Sequence, residues 1–291
     1  MDRDIWTILM NSLRRVERRI PRPGRRCCYS DRLIVKMLLW AVGHDRPMCW
    51  ACRREHYHTV FRPKRLPSIS QFSRRLRKPR IAQVLQQMHR DLLGAGRAKG
   101  PTLIDGKALP VSDYSRDPDA RDGYGSGRMH RGYKLHSWVR ADGRIARFIV
   151  RPLNEGEPKI ARQLVCRLPR PTLILGDGNY DSAGLYQAVH ETGNRLLTPL
   201  KGRSRSSQRW RRMGEGRRQA LRVWRRRPDV CQRLGKRRDI MEGAFGTLSG
   251  FGGGLAPLPA WVRRLDRVTR WVTVKIMIYH ARLNHQKGTA A

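Results

Sequence analysis

Residues 172–178 read TLILGDG and residues 102–106 read TLIDG. Each is a short apolar run that ends at an aspartate followed by glycine. A run of this length bounded by turn residues predicts a buried strand with a carboxylate at its tip. Outward from these two, YKLHSWV at 133–139 alternates and RIARFIVRPL at 144–153 follows Asp142-Gly143, a hairpin signal. Helices are predicted at about 156–168 and from Asp181-Ser182 to about Thr192, and a short strand at 195–200. Residues 107–130 read as loop. In an α/β sheet, residues at strand ends project into the crevice where ligands bind, so Asp105 and Asp177 can converge there.

Upstream, residues 1–95 read as helical. Ser30-Asp31 can cap a helix through Leu33, Ile34, Met37, Leu38 and Val42, and a second short helix is predicted at about 50–61. In LPSISQFSRRLRK (66–78), Ile69, Phe72 and Leu76 fall on one face, and Ser73, Arg74, Arg75, Arg77 and Lys78 on the other. An apolar stripe opposite a basic one suits a helix-turn-helix reader of DNA, and equally a basic bundle helix that faces solvent. A helix at about 80–93 leads into GAGRAKGP (94–101), which reads as a domain boundary. The expected domains are therefore a helical one at 1–95, a linker at 96–101 and an α/β one at 102–287. The last helix, at about 260–285, is expected to pack on the sheet.

The 291 residues carry 62 Lys and Arg against 23 Asp and Glu, a net charge of +39. Such a surplus repels itself unless a polyanion neutralises it, which makes nucleic acid the leading partner. Membrane chemistry fits less well, because the longest apolar run, Leu33 to Val42, is short and contains Lys36. No signal-peptide pattern opens the chain, and six scattered cysteines do not make a disulfide framework, so a cytoplasmic, nucleoid-associated setting is expected. Residues 200–238 hold sixteen Lys or Arg against two acids, with Trp210 and Trp224 interleaved. This tract reads as a basic insertion that grips backbone phosphates and is partly disordered without ligand, its tryptophans placed either to stack on unpaired bases or to pack in a core. Cys49 and Cys52 with nearby Cys27, Cys28, His56 and His58 could suggest zinc, but the second ligand pair lacks zinc-site spacing.

Scarce acids are the informative residues in such a chain. Asp105, Asp177 and Glu242, if brought together, could hold two Mg²⁺ ions roughly 4 Å apart, the arrangement that serves in-line phosphoryl displacement. Taken singly, Asp105-Gly106 and Asp177-Gly178 are also ordinary turn pairs, and Glu242 an ordinary surface glutamate. Lys134 and His136, two apart on one strand, share a face that either contacts a phosphate or is simply solvated.

Six segments in order, YSDRLIVKMLLWAV, LPSISQFSRRLRK, LIDGKALPV, HRGYKLHSWV, LILGDGNYDSAGLY and RRDIMEGAFGTL, resemble the bacterial insertion-sequence transposases of the DDE class. The resemblance implies a ribonuclease-H-like mixed-sheet catalytic core with flanking helices behind a helix-turn-helix-like domain. It makes Asp105, Asp177 and Glu242 the catalytic metal ligands for two Mg²⁺, with Mn²⁺ able to substitute. Arg238, four residues before Glu242, would share its helix face and hold a phosphate, with Lys134, Arg74, Arg75 and Lys78 as further DNA contacts. The implied partners are double-stranded DNA, at terminal repeats and target, and a second copy in a synaptic dimer or larger assembly. The second motif reads Asp177, Gly178, Asn179, Tyr180 where family members usually carry a basic residue and then glycine. Gly235 and Ser249 stand where tyrosine and a basic residue are usual. These departures motivate a second reading, a repurposed DNA-binding protein without catalysis. A basic RNA-binding protein is a third.

Overall fold

Serine caps start two of the N-terminal helices. Ser30 Oγ accepts from the Leu33 amide at 3.2 Å, and Ser68 forms a reciprocal capping box with Gln71. The computed structural model describes residues 1–21, 28–57, 61–94, 96, 100–125, 127–165, 172–200, 213–250, 255 and 257–289. In chain order the helices and strands are α1 (Arg3–Arg19), α2 (Asp31–Gly43), α3 (Ile69–Leu76), α4 (Pro79–Leu93), β1 (Thr102–Pro110), β2 (Arg121–Gly125), β3 (Arg128–Val139) and β4 (Ile145–Pro152). They continue with α5 (Glu157–Val165), β5 (Leu173–Leu175), α6 (Ala183–Glu191), β6 (Arg195–Leu197), α7 (Glu215–Arg226), α8 (Pro228–Lys236), α9 (Asp239–Gly250) and α10 (Leu265–Thr289). No helix among the described residues is long and apolar enough to cross a membrane.

The chain divides into two compact units, one of residues 1–96 with 247–291 and one of residues 97–246. In the helical unit, α10 packs against α1, α2 and α4. This corrects the expectation that the last helix lies on the sheet. Its run from Val268 to Ala281 is almost wholly buried, including Lys275 and His280, so no solvent face remains to signal where it docks. Lys275 pairs with Asp45, and Asn284 donates to the Leu92 carbonyl at 3.0 Å. The helix expected at 50–61 is instead two short 3-10 turns, Trp50–Cys52 and Arg54–His56, set among Trp40, Tyr57 and Phe61. Ile69, expected on the buried face of α3, is 57 % exposed, whereas Phe72 and Leu76 are buried.

The second unit is a six-stranded mixed sheet in the order β2-β3-β1-β5-β6, with β4 also paired to β3. β3 runs antiparallel to β1, β2 and β4, while β1, β5 and β6 are mutually parallel. β2 lies wholly within the segment read as loop at 107–130, and β1 and β3 extend into it, because their charged and glycine-rich residues are paired within the sheet and need no apolar face of their own. Gly143 (φ 80°) closes the β3–β4 hairpin where Asp142-Gly143 had signalled it. One face of the parallel half packs Ile104, Ile174 and Leu196 on Ala161, Val165, Leu185, Val189 and Ala220. The other face packs Leu175 and Leu197 on Cys231, Trp224 and Leu234. The tract at 200–238 is therefore structural from 215 onward: α7 and α8 cover the sheet, and residues 201–212, with Trp210, lie outside the described set.

Asp31, the first residue of α2, accepts from Arg75 of α3 at 2.6 Å and from Arg80 of α4. It joins three helices with a carboxylate that is 17 % exposed. Asp31→Ala leaves two guanidinium groups without their acceptor, so chemical denaturation should show a loss of about 1–3 kcal/mol. An unchanged midpoint would show that the pair carries no net stability.

Candidate active site

The parallel pairing of β1 with β5 positions two carboxylates. Thr102 is opposite Ile174 and Leu103 opposite Leu175, the same offset at both pairs. Asp105 stands two residues past Leu103 and Asp177 two past Leu175, the end of β5, and the charge of Asp177 acts on Asp105. Asp105 sits inside β1, opposite Ser137 of β3, with one oxygen accepting from the Gly106 amide at 2.7 Å. Asp177 follows the end of β5 and caps the 3-10 turn Gly178–Tyr180, accepting from the Asn179 amide at 2.8 Å.

Burial pushes the Asp105 carboxyl up to about 6, and the negative charges of Asp177 and Glu157 add to the rise. The Gly106 amide and Arg238 act in the opposite direction. Tyr180 is fully buried beside this group, and burial followed by Glu157, Asp105 and Asp177 keeps its hydroxyl protonated. Its Oη has no hydrogen-bond partner among the described residues.

Glu157 has no counterpart in the sequence reading. It is the first residue of α5, a place where the helix N-terminus favours a carboxylate. Lys134 Nζ donates to its Oε1 at 3.0 Å, with both side chains about a tenth exposed, and Oε2 has no partner among the described residues. A Cβ on Gly106 would come to 3.0 Å from both Glu157 Oε1 and Lys134 Cδ, so a larger residue there would make this pair shift by a few tenths of an ångström. A lone glutamate at a helix start carries no sequence signal that would pick it out.

Other expected site residues fall in several places. Arg238 is half-buried between α8 and α9, and its charge reaches Asp105 and Tyr180. Glu242 is exposed in the first turn of α9 and is not among the charges that shift Asp105. No group of three His, Cys, Asp or Glu side chains that could hold a metal occurs among the described residues, at this site or around Cys49 and Cys52. Lys134 and His136 do share a face, but that face is internal. His136 is 1 % exposed, and burial, then Lys134 and Arg151, hold it neutral with a pKa of about 3. It makes no surface contact. Arg74 and Lys78 are exposed as a DNA contact requires, whereas Arg75 is engaged by Asp31. Trp224 packs against Leu175 and Leu197 and donates Nε1–H to the Thr198 carbonyl at 2.9 Å, so it is a core residue and not a stacking platform.

The donor set fits a hard divalent cation in part. Asp105 and Asp177 present only oxygens, and a bound cation would relieve the burial and like charge that raise the Asp105 pKa.

Set beside known proteins, residues 97–279 match the family model described as Transposase DDE domain. Among solved structures, the cryo-EM structure of a piggyBac transposase synaptic complex with hairpin DNA is 13 % identical, over 72 % of this chain and 50 % of that one, with a TM-score of 0.35. The chain thus spans half the length of that neighbour. No curated protein matches.

The raised Asp105 pKa makes a stability prediction. The unfolded chain releases this proton near 3.8 and the folded one near 6, so above pH 6 the ionised carboxylate opposes folding by about 2–3 kcal/mol. Well below pH 3.8 both states are protonated and the penalty is gone. Asp105→Asn should therefore raise the melting temperature of metal-free protein at pH 7–8 and leave it nearly unchanged at about pH 2.5. A variant less stable than the parent at pH 7 would contradict this account. Glu157→Gln removes one of the negative charges behind the shift, so the Asp105 titration followed by NMR should move below 6.

Proposed function

The chain belongs to the DDE transposase domain family, and from that premise we propose that it cuts and joins DNA as an insertion-sequence transposase. What supports the proposal is that the charges of Asp177 and Arg238 both act on the buried Asp105 carboxyl, in a strongly cationic chain. The strand order, with three parallel strands flanked by an antiparallel group, supports reading the sheet unit as ribonuclease-H-like.

In this reading Asp105 and Asp177 hold Mg²⁺, and Glu242 completes the set from α9. Bound Mg²⁺ supplies Lewis-acid activation of the attacking oxygen and charge stabilisation of the leaving one. Arg238 holds a non-bridging oxygen of the scissile phosphate, in the charge-assisted geometry that guanidinium offers. Lys134 is paired with Glu157, whose charge acts on Asp105, and the buried hydroxyl of Tyr180 is kept neutral beside them. Water first displaces the 3′-oxygen at the element end. The freed 3′-hydroxyl then displaces a target 3′-oxygen, so one phosphodiester breaks and one forms at each step. On the helical unit, α3 offers Arg74, Arg77 and Lys78 to duplex DNA as the reading helix of a helix-turn-helix-like domain that recognises terminal repeats. Two ends joined in one event call for a dimer or larger assembly, working on the nucleoid in the cytoplasm.

A second reading, DNA binding without catalysis, is favoured by the exposed position of Glu242.

With Mg²⁺ and a terminal-repeat duplex, Asp177→Asn should reduce cleavage by roughly a thousandfold or more while leaving duplex affinity within about twofold. Undiminished cleavage in the variant overturns the site. A parent protein that binds the duplex but never cuts it, with Mg²⁺ or Mn²⁺, favours the second reading. Arg74→Ala and Lys78→Ala should each weaken duplex binding and reduce its salt dependence by about one ion.

A further inference from the structure

Three large apolar side chains stand in water on the stretch from the end of β1 to the start of β3. Tyr114, Tyr124 and Met129 are 95, 65 and 63 % exposed. β2 and the first residues of β3 form a two-stranded ribbon in which Tyr124 is the direct partner of Met129, and Asp122 of Arg131. Direct partners share a face, as do residues two apart, so these four side chains are on one side of the ribbon. Glycines hold the other side down. A Cβ on Gly123 would come 2.7 Å from the Leu153 backbone, and one on Gly125 2.6 Å from the Ala108 Cβ. Glycine permits that approach, so the ribbon lies against β1 and the residue after β4 and turns its opposite face outward. The turn carrying Tyr114 is closed by the Ser115 amide donating to the Ser112 carbonyl at 2.8 Å. Arg131 donates to the Asp117 carbonyl at 3.2 Å, which ties that loop to the ribbon.

The charge of this stretch sets it apart from the chain as a whole. Residues 111–131 hold four arginines, four aspartates and no lysine or glutamate, so the entire surplus of +39 lies elsewhere. Arg131 is paired with Asp122 at 3.3 Å, and Arg121 donates to the Pro118 carbonyl at 2.8 Å. Two copies of so cationic a chain repel wherever their basic surfaces meet, and contact is least opposed where the surface has no net charge. DNA is drawn the other way, to basic faces that release its counterions. We propose that the outer face of this ribbon is where two copies of the chain associate, about a two-fold axis. Such an axis sets Tyr124 of each copy on Met129 of the other, and a thioether against an aromatic ring is a favourable contact. These side chains cover far less than the roughly 1,600 Å² of a standard interface, so the free chain associates weakly. Joining two DNA ends calls for two subunits, and for that purpose alone the inference rests on the transposase reading.

The test is sedimentation velocity of the DNA-free full chain over a range of concentrations, at about 0.15 M and about 0.6 M NaCl. A reversible monomer–dimer equilibrium is expected, its dissociation constant falling about threefold or more at the higher salt, because screening removes the repulsion and spares the apolar contact. Tyr124→Ser and Met129→Arg should each raise that constant about tenfold or more, while Val223→Ser, at an exposed apolar residue of α7, leaves it within about twofold. All three replace side chains that face water, so melting temperatures should hold. A parent that stays monomeric at both salts, a dimer that weakens with salt, or one that survives both ribbon variants overturns the proposal. Tyr124→Ser that spares the dimer and weakens duplex binding assigns the face to DNA and overturns it too. A parent that dimerises through the ribbon yet never cuts DNA leaves the interface standing without the transposase reading, and a monomer that cuts does the reverse.

Discussion

Two carboxylates of like charge, Asp105 inside β1 and Asp177 just past the end of β5, act on each other where two interior strands of the sheet pair in parallel. Neither oxygen pair can be satisfied by the other, and both aspartates borrow backbone amides from the residues that follow them. Arg238 supplies partial compensation from the α8–α9 join, while Glu157 adds a third negative charge and is itself held by Lys134. The result is a site that is electrostatically unfinished in the free protein. Catalytic groups commonly show this trade of stability for reactivity, and here it is localised to a few named side chains.

The rest of the sheet unit makes that strain tolerable. Apolar layers on both faces of β5 and β6 fix the strands against the repulsion at their ends. Leu185, Tyr186 and Val189 of α6 close one side, while Cys231 and Leu234 of α8 close the other. Asp181, whose carboxylate is completely buried, anchors Arg217 of α7 at 2.9 Å and so ties the basic helices to the turn that follows Asp177. Arginine is therefore used in two ways in this unit: some of the positive surplus braces the scaffold, and some remains on its surface.

Much of this was legible from the sequence where local chemistry and period agree. The strands at 102 and 173, the Asp142-Gly143 hairpin, the Ser30 helix start and the helices after residues 156 and 182 all follow from patterns a few residues long, although Asp105, read as a strand tip, lies inside a β1 that runs on to Pro110. What escaped depends on distant partners. Glu157 joins the site through its ion pair with Lys134 of β3, a partner distant in the sequence. Arg75 and Trp224 look like ligand-binding residues by type, and each is instead satisfied by another element, Asp31 in one case and Thr198 with the Leu175–Leu197 face in the other. Charged and aromatic residues in a cationic chain are ambiguous by composition, and tertiary contacts decide them one at a time. Extension of β1 and β3 through polar, glycine-rich sequence was invisible for a related reason, since ladder pairing satisfies the backbone whatever the side chains are.

The docking of α10 on α1, α2 and α4 separates the order of the chain from the order in which its units can be finished. The sheet unit is one continuous stretch and can complete itself as soon as that stretch leaves the ribosome. The helical unit begins earlier and must wait, with the apolar surfaces of α1 and α4 uncovered, until α10 has been made. A nascent chain would thus own a complete sheet before it owns a complete helical unit, and a ribosome stalled before residue 265 would release a protein whose two halves differ sharply in solubility.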